Sequence, residues 1–516
     1  MGDFGFWAMA EEMPDQLALV TPDGVEISAG ELLGRANQVV HAFRQLGLKR
    51  GDTVAFVLPN CPEVFEIYLA ALQAGMFIVP INHHLVGTEI AYIVKDSEAS
   101  LFIGHERFTD ICYDATEEAE VPNTRCLAVG EISGFSSYAQ LRDNQPTTKP
   151  ADRRIGDTMN YTSGTTGHPK GVRRPLADAS PEEVALGLAG ILFLFGIQPR
   201  DDNVHLLGSP LYHTAVLRFS GASLHLGHSV VMMDKWTAED NLRLIEQYKV
   251  THSHMVPTQF HRLLALPEET RNRYDLSSLR HMIHAAAPCP VPTKQAMIEW
   301  WGPCIDEYYA ASEGGGTVVN TEEWLKKPGT VGKAWPISEI AIFDDDNNRL
   351  EADQLGTVYM SMQTGDFEYH KDKDKTEKNR IGKFFTVGDV GYLDADGYLF
   401  LSDRKTDMII SGGANIYPAE IENVLLQHPE IVDVAVFGIP NDDWGEEVKA
   451  VVETVDGVTG SPELEAAILT WCEPRLAKFK TPRTIDFTTE MPRDPNGKLY
   501  KRKLRDPYWE GRERAI

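Results

Sequence analysis

Twelve residues, Tyr161 to Val172 (YTSGTTGHPKGV), constrain the architecture more than any other stretch of the chain. Thr162, Ser163, Thr165 and Thr166 surround Gly164 and Gly167, and Lys170 follows Pro169. Glycine lets the backbone double back and approach a ligand closely. Hydroxyls and main-chain N–H groups donate to oxygen, and lysine adds a compact positive charge. These are the ingredients of a phosphate cradle, with an ordinary polar surface loop as the bland alternative. The spacing excludes one owner. A Walker loop needs four residues between its glycines and a lysine followed by Ser or Thr, whereas two residues separate Gly164 from Gly167 and Gly171 follows Lys170. The loop therefore points to a nucleotide-using architecture other than the P-loop NTPases.

Around this loop, helix and strand patterns alternate. Ser28 and Glu31 have capping-box spacing ahead of an apolar face ending at Gly47. Strands are expected at Asp52–Leu58, Phe77–Ile81, Ser100–Ile103, Met159–Thr162, Ser229–Met233 and His281–Ala285, with a helix over Pro62–Ala74. Such alternation implies parallel sheets covered by helices, with ligands bound at the carboxyl ends of strands. The apolar run Leu186–Ile197 is too short for a membrane span and reads as a buried helix. After about Pro328 the pattern becomes short strands between turn clusters, at Glu339–Phe343, Gly356–Met360, Phe384–Val387 and Tyr398–Leu401. From Tyr417 a compact α+β unit is expected, with a helix opened by Pro418, strands Val432–Ile439 and Glu447–Val455, and a helix from Glu463.

The chain's 516 residues exceed what one hydrophobic core supports, so two or more domains are expected. A formal charge of −27 argues against nucleic-acid binding and requires local cationic clusters to draw any anionic ligand. The six cysteines show no metal-ligand or CxxC spacing, which fits free thiols in a reducing compartment. The N-terminal residues lack the basic and apolar regions of a signal peptide, so a cytoplasmic enzyme without a transmembrane segment is expected. A homo-oligomer is compatible with the sequence, which does not specify one.

Four further stretches carry chemistry. GSPLYHTA (Gly208–Ala215) places His213, which alone reads as a packed aromatic. EYYAASEGGG (Glu307–Gly316) offers Tyr309 as a flat face for a base and Glu313 as a magnesium ligand bridging phosphates. Phe384–Glu422 sets Asp389 and Arg404 on either side of a turn, a carboxylate suited to ribose hydroxyls and an arginine suited to ribose or phosphate. In PNGKLYKRKLR (Pro495–Arg505), Lys498 follows an Asn-Gly turn and taken singly is surface charge.

Together, from about residue 10 to about residue 505, these stretches resemble an acyl-CoA synthetase of the adenylate-forming (AMP-binding) superfamily. The resemblance implies an α/β fold with a large N-terminal domain, residues 1–403, of parallel-rich sheets with helices and a small β-barrel-like subdomain. A smaller α+β C-terminal domain, residues 404–516, would rotate about a hinge. It further implies that Thr162, Ser163, Gly164, Thr165, Thr166, Gly167 and Lys170 hold the pyrophosphate part of ATP. Tyr309 would lie by adenine, with Ala286 and Ala287 bordering base and acyl group. Ser312 stands where the family more often has threonine. Glu313 would bind Mg2+, Asp389 the ribose hydroxyls, and Arg404 ribose or phosphate. Lys498 would bridge the acyl carboxylate and the α-phosphate, and His213 would sit beside the substrate carboxylate. Ser411, Gly412 and Gly413 would line the coenzyme A tunnel. The hinge position, commonly Asp or Lys, is Thr406 here.

The implied reaction joins a small-molecule carboxylic acid to CoA through an acyl-adenylate, with release of pyrophosphate and AMP. No acidic residue lies between Ser209 and Ser223 to pair with an amine, which favours a simple acid over an amino acid. Residues near His213, Val216–Phe219, Ala285–Pro288 and Ala310–Gly316 would form the acid pocket, and several of them are small, which permits an elongated pocket, hence a medium- or long-chain fatty acid. An aromatic, steroid or bile-type acid, a luciferase-like oxygenase and a catalytically inactive nucleotide-binding protein are the alternatives.

Overall fold

The structure is a computed structural model describing residues 4–162, 169–199, 202–311, 313–363, 367–371, 376–377, 379–404, 407–412, 414–493 and 499–510, with the main chain alone for Thr162, Glu368, Asp403 and Arg404. Two large sheets form the first part of the chain. One is parallel throughout, in the order Ser136–Ser137, Cys126–Val129, Ala99–His105, Thr53–Val57, Phe77–Pro80, Asp157–Thr158. Its central strand, Thr53–Val57, is buried at every residue, as a strand covered on both faces by helices must be. The other sheet has a parallel centre, from Leu17–Val20 through Ser229–Met232, Val204–Leu207, His252–Met255 and His281–His284 to Ile305–Ala310. Antiparallel strands close both of its edges.

Helix termini follow their capping chemistry. Ser28 accepts from the Glu31 N–H, but the Glu31 carboxylate turns to Arg35 at 2.6 Å, so the reciprocal half of the expected box is not made. Ser180 and Glu183 make both halves, ahead of Pro181 at the start of the helix Pro181–Phe193. This helix carries most of the Leu186–Ile197 run and corrects its expected burial, because Leu186 and Phe193 are 45% and 36% exposed. Only one face packs, with Ala189 and Leu192 against Phe219 and Ala222 of the helix Thr214–His225. A side chain at Gly187 or Gly190 would meet open space.

Between the mixed sheet and the helix Thr214–His225 lies a polar core. His205, His252 and His228 cluster with ring centroids 4.8 and 5.5 Å from His252, and Ser223 bridges His205 and His252. Burial drives the pKa of His205 and His225 down to about 3 and that of His254 to about 4.

The turn-rich segment forms an antiparallel sheet from Ser338–Phe343, Gly356–Met362, Arg380–Ile381, Phe384–Phe385, Asp389–Leu393 and Leu399–Arg404. The next strand, Ile409–Ser411, belongs to another sheet with Ala414–Ile416, Gly445–Thr454, Ile431–Asn441 and Thr484–Thr488. Helices Pro418–Leu425 and Pro462–Cys472 pack on it through Ile421, Leu425, Leu464 and Ile468. The architecture is thus a large α/β unit with mixed and parallel sheets, followed by a small α+β unit. All six cysteines are free.

Candidate active site

The two ends of the Tyr161–Val172 stretch are paired strands. Asn160–Thr162 pairs antiparallel with Lys170–Arg173, with Thr162 opposite Lys170. A third strand, Glu368–Tyr369, joins through Val172 opposite Tyr369. The Tyr161 phenol donates to Asp96 Oδ2 at 2.7 Å and ties one stem to the end of the helix Gly87–Asp96. Ser163, Gly164, Thr165, Thr166 and Gly167 lie outside the described residues, as do Ser312, Thr406, Gly413 and Lys498.

Glu313 and Asp389 are both brought to this region and both are buried, 5% and 8% exposed. Glu313 Oε1 accepts from the Tyr369 phenol at 2.6 Å, and its main-chain oxygen accepts from Arg174 at 3.2 Å. Burial, reinforced by the neighbouring Glu313 charge, pushes the Tyr369 pKa up, so the phenol stays protonated and keeps donating. Asp389 Oδ2 accepts from the Tyr309 phenol at 2.6 Å. Asp389 and Arg404 pair directly across two antiparallel strands, so the turn between them places both at one position. Gly314 has φ +124°, and a side chain there would strike Met362 Sδ at 2.6 Å, which explains a glycine immediately after Glu313.

His213 is the N-cap residue of the helix Thr214–His225 and is half-buried, its ring centroid 4.3 Å from that of Tyr212. The loop before it is held from the other sheet. Asn60 donates to the carbonyls of Ser209 and Met233 and accepts from the Leu211 N–H. Ala286 and Ala287 follow the strand His281–His284, and Ala286 adopts φ +73°, a conformation costly to any residue with a Cβ. Beneath that loop, Lys294 donates to Glu307 at 2.6 Å, and His284 lies 3.5 Å from the same oxygen. Gly412, at φ +58°, donates its N–H to the Trp444 carbonyl, and a Cβ there would come within 2.5 Å of the indole.

Sequence reasoning named Tyr309, Glu313, Asp389, Arg404 and Lys170 but missed the groups that hold them. Asn60 sits in a Leu-Pro-Asn-Cys-Pro turn, which marks a loop without naming its contact. Tyr369 lies 56 residues from Glu313, beside a run of alternating charge, and no local pattern signals it.

Glu313 is a lone carboxylate, since no group of three or more His, Cys, Asp or Glu is poised for a metal among the described residues. One carboxylate suits a hard cation that takes its remaining ligands from phosphate and water. No helix among the described residues is long and apolar enough to cross a membrane.

Comparison with known proteins accounts for this arrangement. The family model described as AMP-binding enzyme matches residues 6–364, and that of the AMP-binding enzyme C-terminal domain matches residues 420–498. The long-chain-fatty-acid–CoA ligase FadD13 of Mycobacterium tuberculosis is 31% identical, over 96% of each chain. The 2-succinylbenzoate–CoA ligase of Bacillus licheniformis is 30% identical, over 96% of this chain and 98% of its own. The crystal structure of ATP-bound MatB from Rhodopseudomonas palustris superposes with a TM-score of 0.82 at 29% identity, over 98% and 99% of the two chains. The chain belongs to the AMP-binding enzyme family, as an adenylate-forming ligase that activates a carboxylic acid with ATP and CoA.

Proposed function

We propose that this ligase acts in the cytoplasm on an elongated, largely apolar acid of medium or long chain. The observation that carries this reading is the apolar seam between the helices Pro181–Phe193 and Thr214–His225. It joins Leu192, Phe195 and Phe219 to Ala285 and Tyr308, next to the Ala286 and Ala287 positions that would border the acyl group.

The roles follow from chemistry. A carboxylate is a poor acyl donor and repels the triphosphate it attacks. Lys170 and the loop hydroxyls would screen the departing pyrophosphate, and Lys498 would offset charge gathering at the α-phosphate. Asp389, aimed by Tyr309, would accept from the ribose hydroxyls, with Arg404 opposite it. His213 would border the reacting carboxylate, and Tyr309 with Ala286 and Ala287 would border the base. Glu313 would hold Mg2+, which when bound neutralises phosphate charge. Coenzyme A brings its own thiol, so the second half-reaction needs no protein nucleophile. We place the domain boundary at residue 404, with rotation at Thr406 replacing Lys498 by the Ser411–Gly413 segment between the half-reactions.

Pyrophosphate release measured over a panel of acids, with and without CoA, tests the reading. CoA-dependent turnover that rises with chain length supports it. Turnover confined to benzoate or a bile acid rejects the fatty-acid reading, and no turnover with any acid rejects catalysis. Lys498→Ala should abolish adenylate formation while largely sparing thioester formation from preformed acyl-adenylate; equal loss of both steps would defeat that role.

A further inference from the structure

Lys170 is carried by a ribbon of three short strands, Asn160–Thr162, Lys170–Arg173 and Glu368–Tyr369, with Lys170–Arg173 in the middle. Three residue pairs join it to the first neighbour and two to the second. A ribbon this small is marginal in water by itself. Side chains alternate between faces along a strand, so a slip of one residue would carry Lys170 to the opposite face. The register has to be held from outside the ribbon.

Asp96, the last residue of the helix Gly87–Asp96, touches both flanks. Its Oδ2 accepts from the Tyr161 phenol at 2.7 Å on the Asn160–Thr162 side. Its main-chain oxygen accepts from Lys371 Nζ at 2.9 Å, two residues beyond Tyr369, and the same ammonium lies 3.1 Å from Glu98 Oε1. That oxygen is one of the carbonyls a helix end leaves without an internal partner, and a cation suits it. Asp96 is half-buried, and Tyr161 packs on an apolar cluster that includes Ile90 and Ile93 of the same helix. Burial, reinforced by the bond to Asp96, raises the Tyr161 pKa, so the phenol stays a donor.

The middle strand is shaped to let this contact pass. Gly171, next to Lys170, pairs with Tyr161, and its carbonyl accepts the His370 N–H at 2.8 Å. A Cβ on Gly171 would come within 3.1 Å of the Tyr161 ring and 2.3 Å of the Met159 methyl. The Tyr161 ring therefore lies against the backbone beside Lys170 while its hydroxyl reaches Asp96. On the other flank Val172 pairs with Tyr369, whose phenol holds Glu313. We propose that Asp96 is a positioning residue for nucleotide capture, clamping both edges of the ribbon and so fixing the register that presents Lys170 to phosphate and Tyr369 to Glu313. This rests on the ligase reading above, which gives Lys170 and Glu313 their ligands, and deepens it by naming the residue on which their placement depends.

The test measures KM for ATP and kcat in acid-dependent pyrophosphate release, thioester formation from preformed acyl-adenylate, and melting temperature. The wild type is compared with Asp96→Ala, Asp96→Asn, Tyr161→Phe and the double variant Asp96→Ala/Tyr161→Phe. Asp96→Ala and Tyr161→Phe should each raise KM for ATP about tenfold, the scale of one lost hydrogen bond to a charged group. The double variant should be no worse than the more affected single one, because both remove the same contact. Asp96→Asn keeps an oxygen acceptor and should give an intermediate KM. Thioester formation should stay within about twofold of the wild type throughout, because no pyrophosphate is held in that step. A merely structural contact would lower the melting temperature and slow both half-reactions together, and that result overturns the proposal. Additive losses in the double variant overturn it too. So does an unchanged KM in Tyr161→Phe, which lacks only one hydroxyl and decides the matter should Asp96→Ala fail to fold. Lys170→Met, run alongside, separates the two layers. If it leaves KM for ATP unchanged, or if no acid supports turnover by the wild type, the reading of the site fails and the clamp with it. A raised KM in Lys170→Met beside an unchanged one in Tyr161→Phe rejects the clamp alone.

Discussion

The Tyr309 phenol donates to Asp389 Oδ2 across 2.6 Å, a contact between residues 80 apart that joins the mixed sheet to the antiparallel one. It fixes the orientation of the Asp389 carboxylate. Tyr309→Phe keeps the ring and removes this donor. A hydrogen bond to a charged group contributes about 1.5–3 kcal/mol. KM for ATP should therefore rise at least tenfold while the melting temperature changes little. Initial rates of pyrophosphate release against ATP concentration check this, and an unchanged KM would show that Asp389 is oriented without Tyr309.

Glu313 and Tyr369 should separate in their metal dependence. Glu313→Gln should raise the Mg2+ concentration for half-maximal rate and cost more than a hundredfold in turnover. Tyr369→Phe frees the carboxylate without removing it, so its Mg2+ titration should shift by less than tenfold. Titrations of activity with Mg2+ at saturating ATP distinguish the two, and equal effects would mean that Tyr369 itself contacts the ligand.

The buried histidines predict an acid limit on stability. An unfolded histidine titrates near pH 6.5, while His205 and His225 are held at about 3 and His254 at about 4 by burial. Between those values the unfolded chain binds protons that the folded chain does not. The stability these groups carry is thus present above pH 6.5 and lost as pH falls toward 4, by about 1.4 kcal/mol per pH unit for each group. Melting curves from pH 7.5 to 4.5 should show the decline. His225→Gln should flatten it by one proton's worth, since His225 accepts from the Phe6 N–H and its ring lies in a closed contact with Tyr68.

Lys294 and Glu307 form a buried pair under the Ala285–Pro288 loop. Burial raises the Glu307 pKa, and the Lys294 charge opposes that rise. Lys294→Met would strand the carboxylate and should cost about 3–5 kcal/mol in denaturant unfolding, whereas Lys294→Met with Glu307→Leu should recover most of the loss. If the double variant is no more stable than the single one, the contact of the Lys294 ammonium with the Trp324 ring, 4.9 Å from its centroid, matters more than the ion pair.

Much of the framework was legible because it is written locally. Alternating patterns placed the strands Thr53–Val57, Ser229–Met232 and His281–His284 to within a residue or two, and the turn at Asp394–Gly397 foretold that Asp389 and Arg404 lie opposite each other. The exposure of Leu186 and Phe193 was not legible, since a helix apolar on every face does not reveal which face lacks a partner. Tyr369 and Asn60 escaped for another reason. Their roles depend on which elements the topology brings together.

The ribbon of three short strands has a mechanical implication. Lys170–Arg173, one stem of the Gly-rich hairpin, is hydrogen-bonded to the strand that carries Tyr369, with Val172 opposite Tyr369. Tyr369 in turn grips Glu313. Any shift of that stem on nucleotide capture is transmitted across one rung of the ladder to the carboxylate proposed for magnesium. The two ligands would then be thermodynamically linked through the backbone as well as through their own charges. Each should tighten the other by the same factor, and weakening the Val172–Tyr369 rung should loosen that reciprocity while leaving both sites chemically intact.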